Sequence, residues 1–113
     1  MAVTSNRTVT VQLTGDVTYT QQFAAAANAS SPGENELVAL ASGANTITPP
    51  TGARAVTILP PAANTVLLTL KGVTGDTGVV LHLTDPAVIT LNNAATTFCL
   101  TAASTVTVRM IWT

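Results

Sequence analysis

Apolar and polar side chains alternate with a period of two over long parts of this chain. Val9, Val11 and Leu13 are separated by polar residues, and the last segment, 105–112, keeps the same alternation up to Trp112. Successive side chains of a β-strand point to opposite faces of a sheet, so this period is typical of a strand with one buried face. The chain is therefore predicted to fold from strands, and Trp112, which is in phase with the core side of its strand, is expected to be buried.

Short runs of β-branched residues fill most of the remaining sequence, and Gly, Pro, Asn and Asp separate them. Many short strands at close spacing indicate a β-sandwich, a jelly roll or a small barrel. We expect one all-β domain over 1–113, a β-sandwich that is jelly-roll-like rather than immunoglobulin-like, with an extended N-terminal arm at 1–7. The Cys…Trp…Cys pattern of antibody domains is absent. The predicted strands are 8–14, 17–22, 37–41, 45–48, 54–59, 65–71, 79–83, 87–91, 96–101 and 105–112.

Residues 23–30 (FAAAANAS) interrupt this pattern. The alanines favour a helix, but the small side chains equally suit an extended strand that packs closely against another subunit. Both alternatives stay open from the sequence. The residues that follow are predicted to form a surface loop that carries Glu34 and Glu36.

Charged residues are scarce, with only four basic and five acidic side chains. They make up 8% of the chain, against about 25% in an ordinary globular domain. A charged surface normally keeps a protein from associating, so a surface this poor in charge suits burial against neighbouring copies. The cations are far apart in sequence, which argues against a nucleic-acid-binding protein. No apolar run has the length of a membrane span or the layout of a secretory signal, so we expect folding in the cytosol.

Several predicted strands carry apolar residues on both faces, although a two-layer sandwich buries only one face of each sheet. The additional apolar positions either lie beneath loops at strand ends or form a subunit interface. The chain also has a single Lys, the residue that monomeric β proteins use to protect sheet edges. The predicted interface residues are Leu67, Val80, Ile111, Phe23 and Ala25.

The triplet Asp76-Thr77-Gly78 resembles the catalytic motif of retroviral-type aspartic proteases, in which two chains each contribute one Asp. Thr74 and Gly75 stand here where that family has apolar strand residues, and no glycine follows Gly78 to supply the family's later apolar-apolar-Gly segment. A glycine-rich turn between two strands is the better interpretation.

The single histidine and the single cysteine give no local catalytic or metal-binding signature. His82 is predicted in mid-strand with Asp85 nearby, which is too few ligands for zinc. Cys99 is predicted to be a buried, inert thiol, although a Cys–His pair with His82 stays open. We expect no catalytic residue, no metal ligand and no cofactor.

Four segments of the chain resemble small virion structural proteins of tailed bacteriophages. They are 40–50 (LASGANTITPP), 55–61 (AVTILPP), 70–78 (LKGVTGDTG) and 106–112 (VTVRMIW). The resemblance implies a structural part of a virion, with no catalytic residues to carry over. Decoration or cement proteins of this kind are often trimers on the outer capsid.

The resemblance and the low charge together predict a bacteriophage capsid decoration or cement protein that stabilises the head by bridging capsid subunits. Its partners would be further copies of itself, with a trimer favoured, and the major capsid protein or other virion proteins. It would be located in the virion after assembly in the host cytoplasm. The alternatives are a head-fibre or tail-adaptor module, a host-surface binding module and, remotely, the aspartic protease.

Overall fold

A computed structural model describes residues 3–24, 27–92 and 97–113. These residues form strands and loops and contain no helix, so the prediction of an all-β fold is confirmed. The strands are β1 (Val3–Ser5), β2 (Thr8–Leu13), β3 (Tyr19–Ala24), β4 (Asn28–Ser31), β5 (Asn35–Leu40), β6 (Gly43–Ile47), β7 (Ala55–Leu59), β8 (Leu68–Lys71), β9 (Val79–Val80), β10 (Ala87–Thr90), β11 (Phe98–Ala102) and β12 (Val106–Trp112).

The eight strands from β5 onward make two four-stranded antiparallel sheets. One sheet has the order β10-β7-β12-β5 and the other has the order β6-β11-β8-β9. The pairing is nested: β5 pairs with β12, β6 with β11, β7 with β10, and β8 with β9. Consecutive strands therefore often lie in different sheets, and the chain ends close to where this unit begins.

The two sheets pack face to face across one hydrophobic core, which makes this part of the chain a β-sandwich. Val108, Met110 and Trp112 alternate along β12, and each is at most 1% exposed. Leu68 and Leu100 face them from the other sheet. The alternation seen in the sequence is thus the core-facing side of a central strand, as predicted.

Trp112 is the largest fully buried side chain of this core. Its indole Nε1–H donates to Oε1 of Glu36 at 3.2 Å, and its ring lies 6.5 Å from the ring of Phe98. Glu36 was expected in a surface loop, and that prediction is wrong. It lies within β5, where the register brings it opposite Met110 of β12 and beside the tryptophan.

Two strands are shorter than the sequence pattern predicts. The predicted strand 65–71 begins only at Leu68, because the buried Asn64 ties down the preceding loop with bonds from its amide to the carbonyls of Val66 and Leu83. The predicted strand 79–83 ends at Val80. His82 was predicted in mid-strand but lies in the loop after β9.

The N-terminal part of the chain forms two small additional sheets. Residues 3–5 of the expected arm pair with β4 of the same chain, and β2 and β3 form an antiparallel hairpin. The described part of 23–30 is extended: β3 ends at Ala24 and β4 begins at Asn28. The extended alternative is therefore the one adopted at these positions.

Candidate assembly surface

The β2–β3 hairpin carries most of the unburied apolar side chains of the N-terminal part. Its register places Val9 opposite Phe23, Val11 opposite Gln21, and Leu13 opposite Tyr19. Opposite residues of an antiparallel pair share a face, so these six side chains lie on one side of the hairpin. The apolar members are 38–52% exposed. The six residues that form this hairpin face are Val9, Val11, Leu13, Tyr19, Gln21 and Phe23.

The other side of the hairpin is polar. It carries Thr8, Thr10, Gln12, Thr20 and Gln22, with Ala24 at the end. Neither strand contains a charged residue. The hairpin is therefore amphipathic without being charged, a pattern that normally accompanies a buried face. In the described chain, however, both strands pair only with each other.

Where the hairpin joins the rest of the protein, it borders a cleft of about 560 Å³ that Thr90 of β10 also lines. Arg7, Val9, Val11 and Phe23 line this cleft together with Gln22 and Ala24 from the polar side of the hairpin. At the far end, the side-chain hydroxyl of Tyr19 donates to Oε1 of Gln21. Arg7 thus lies at the base of the hairpin face, and the hydrogen-bonded pair of Tyr19 and Gln21 lies at its tip.

One buried asparagine side chain and one backbone hydrogen bond attach the N-terminal part to the sandwich. Asn28 of β4 donates from Nδ2 to the carbonyl of Gly52 at 3.0 Å, and its Oδ1 accepts from the amide of Ser30. The amide of Trp112 donates to the carbonyl of Glu34 at 2.8 Å. These bonds fix β4 and the start of β5, and the hairpin extends from the ribbon that β1 and β4 form.

The outer face of the β10-β7-β12-β5 sheet is also rich in apolar and threonine side chains. Leu37 is 64% exposed and Val88 is 47% exposed, while Ile111 of the central strand is half-buried on the same side. Arg109 also lies on this face, beside Leu37 in the register, and donates to Oδ1 of Asn35 at 2.7 Å. This outer face thus has one charge among its strand residues.

The predicted interface residues do not form one continuous surface. Val80 is 59% exposed and pairs with Thr69 on the outer side of the second sheet, and Leu67, 48% exposed, is in phase with Thr69. Ile111 lies on the outer side of the first sheet, so the sandwich separates it from these two. Phe23, 49% exposed, belongs to the hairpin face. Ala25 lies outside the described residues.

Sequence reasoning missed most of the hairpin face. Val9, Val11 and Leu13 were recognised as one side of a strand, but alternation alone does not say whether such a side meets a core of its own chain. A signal was present in the equal lengths of the two runs around Gly15 and in their lack of charge. Both features are consistent with a hairpin that has its own apolar side.

The Asp-Thr-Gly motif lies in the exposed loop between β8 and β9. The carboxylate Oδ2 of Asp76 accepts from the amide of Val73 at 3.0 Å, and the Asp76 amide donates to the Val73 carbonyl, which closes a turn. Gly78 has a φ of +76°, and a Cβ there would lie 2.5 Å from the carbonyl oxygen of Leu70. Asp76 and Gly78 therefore both have a structural role in this turn.

His82 and Cys99 are also held in local structure. Nδ1 of His82 accepts from the amides of Thr84 and Asp85 at 3.2 and 3.0 Å, which orders the loop that leads to β10. Cys99 is 4% exposed, with its sulfur 3.9 Å from the hydroxyl of Thr101. Within the described ranges, no group of three or more His, Cys, Asp or Glu side chains could hold a metal ion.

No protein-family model, curated protein or solved structure matches this chain. Across the residues that the structure describes, no helix has the length and apolar character needed to cross a membrane.

The chain exposes more surface than a compact monomer of its size. Its accessible area is 6980 Å², whereas a folded monomer of 11.5 kDa exposes about 5,800 Å². Its radius of gyration is 15.3 Å, against about 13 Å for a compact chain of this length. The β2–β3 hairpin, whose strands pair only with each other and not with the sandwich sheets, contributes to this extended form.

Proposed function

We propose that this chain is a structural subunit of a bacteriophage virion, acting as a capsid decoration or cement protein without catalytic activity. The observation that carries the proposal is the uncharged hairpin face, which is exposed in a chain with only 8% charged residues. Exposed apolar patches of this kind mark sites of protein–protein interaction. A protein with such a surface is suited to being incorporated into an assembly.

The nested strand pairing also supports the proposal. The first strand of the sandwich, β5, pairs with the last strand, β12, and the remaining strands pair in the same way inward to β8 and β9. The expected jelly roll requires this connectivity, and capsid proteins are among the proteins built on that fold. Because one fold serves many functions, this support is an analogy and is weaker than the surface argument.

The proposed action is mechanical. Each copy would contact neighbouring capsid subunits and bury area that the bare shell leaves exposed. Binding that occurs only to the assembled shell stabilises that shell by mass action. The sandwich supplies a rigid body, and its outer sheet face around Leu37 and Val88 supplies the contact surface for capsid subunits, which leaves the hairpin face available for another molecule.

A head-fibre or tail-adaptor module is the second candidate. The projecting N-terminal hairpin favours it, because a module at the base of a fibre needs an extended element to attach it to a neighbour. The two candidates predict very different copy numbers, since a shell carries many equivalent positions and a fibre or tail carries few.

The test is the copy number of this chain in purified virus particles, measured by quantitative mass spectrometry with the major capsid protein as the internal standard. On the order of hundreds of copies per particle would support a decoration protein, because closed shells repeat each position by symmetry. A few copies would support the fibre or tail candidate. Absence from the particles would contradict both.

A further inference from the structure

Building on the structural role proposed above, we propose that the hairpin face binds the same face of the hairpin in a second copy of this chain. The two hairpins lie antiparallel, so that the base of each meets the tip of the other. The contact is isologous and joins two copies around a two-fold axis, the most common symmetry of soluble oligomers, in place of the trimer that was favoured from the sequence.

The apolar side of the hairpin lacks the covering layer that a two-stranded sheet needs. An isolated two-stranded hairpin is only marginally stable in water and needs a further layer over its apolar side. Within the described chain, β2 and β3 pair only with each other, and Val11 at the centre of the face is 43% exposed. A second layer supplied by another molecule would provide the missing cover.

The surface that covers the hairpin face must itself carry little charge. The strands β2 and β3 carry no charge, so a charged partner surface would lose its hydration there without gaining a counter-charge. Ordinary protein surfaces are rich in charge. The strands of the identical hairpin in a second copy are uncharged and amphipathic, so they fit this requirement.

The two ends of the hairpin carry opposite charges. Arg7 lies at the base, where it lines the cleft beside Val9 and Phe23. Asp16 is exposed in the turn at the tip, between β2 and β3. An antiparallel pair of hairpins would bring each Arg7 towards the Asp16 of the other copy. A parallel pair would instead bring like charges together.

The experiment is sedimentation velocity on the full chain and its variants over about 1–200 µM, the range in which modest interfaces associate. We expect the wild-type chain to form a dimer. Val11→Lys places a charge at the centre of the hairpin face and should raise the dissociation constant at least about 100-fold. The matched control is Thr10→Lys, the adjacent residue on the polar side, which should change it by less than about threefold.

A charge exchange tests the antiparallel arrangement. Arg7→Asp and Asp16→Arg should each weaken the dimer about five- to tenfold, because each creates like-charge contacts at both ends of the interface. The double variant restores opposite charges and should dimerise like the wild type. In a parallel pair, Arg7→Asp would only exchange one like-charge contact for another.

The fluorescence of Trp112, the only tryptophan and part of the sandwich core, verifies that each variant is folded independently of the hairpin. A monomeric or trimeric wild type would overturn the proposal. So would equal effects of the two lysine variants, or a double variant no stronger than the single ones. A monomeric chain abundant in virus particles would overturn hairpin pairing alone, whereas a dimer absent from particles would overturn only the virion function.

Discussion

Trp112 shows how one residue combines core packing with a polar contact near the surface. Its ring is 1% exposed within the sandwich, while its indole N–H donates to Glu36 near the edge of the sheet. The alternation of β12 was enough to predict the burial. The identity of the hydrogen-bond acceptor depends on the register between β12 and β5, which joins residues 76 positions apart in sequence.

We expect Trp112→Ala to lower the free energy of unfolding by about 3–5 kcal/mol, because it removes the largest buried side chain and leaves a cavity that the two sheets cannot close. The measurement is urea unfolding followed by circular dichroism. Glu36→Ala should cost only about 1 kcal/mol, the value of one hydrogen bond. A loss below about 1 kcal/mol for Trp112→Ala would show that the side chain is not part of the core.

Gly52 is the residue that allows β4 to lie against the sandwich. Its φ is +86°, and a Cβ there would lie 2.3 Å from the carbonyl oxygen of Ser30. Gly43 is the matched control, with a φ of +98° and no atom within 4 Å of such a Cβ. We expect Gly52→Ala to destabilise the protein by about 2 kcal/mol more than Gly43→Ala in the same unfolding experiment. Equal losses would mean that the close approach of β4 contributes nothing.

At the scale of strands, the two faces of each sheet have different roles. Inward positions such as Leu68 fill the core, and outward positions such as Leu67 and Val80 remain exposed although they are equally apolar. The β2–β3 hairpin is the extreme case, because neither of its faces meets the sandwich core. Propensity and alternation define these strands, but only their pairing decides which side is covered.

We expect Leu67→Lys and Val80→Lys to leave the fold intact, each changing the free energy of unfolding by less than about 0.5 kcal/mol, because their side chains are already in water. Leu68→Lys is the matched control from the adjacent position. It buries an unpaired charge and should prevent folding or cost several kcal/mol. If either exposed variant unfolded the protein, that residue would belong to the interior of the sandwich.

At the scale of the whole molecule, the chain consists of a compact sandwich and a projecting N-terminal hairpin. The radius of gyration of 15.3 Å reflects this arrangement. The sandwich has a continuous core, whereas the hairpin depends on its own backbone bonds. Local stability should therefore differ strongly between the two parts, since regions with few buried apolar contacts open at low free energy.

Amide hydrogen exchange should reveal this difference. In dilute solution, we expect the amides of β2 and β3 to exchange at least about a thousand times faster than those of β12, because β12 opens only with the whole core. At concentrations where two copies associate, the hairpin amides should become protected while those of β12 stay unchanged. Hairpin amides as slow as those of β12 in dilute solution would contradict this division of stability.

The sequence by itself determined the all-β class, most of the strand positions and the burial of Trp112, because the period-two alternation of side chains is a local property of extended chain. It also indicated, through strands with apolar residues on both faces, that some apolar side chains would lie outside the core of the sandwich. The late start of β8 lay beyond it, since Asn64 holds the preceding loop through bonds to the nearby Val66 carbonyl and to the Leu83 carbonyl, which is 19 residues away.

Only the tertiary structure decided which apolar faces are covered. Val11 and Val108 lie in equally regular alternating runs, yet Val108 is fully buried between two sheets and Val11 is 43% exposed on a hairpin. Alternation states that a strand has an apolar side, whereas non-local pairing determines whether another sheet lies over it. The nested pairing of β5 to β12 supplied that second sheet for the sandwich and left β2 and β3 outside it.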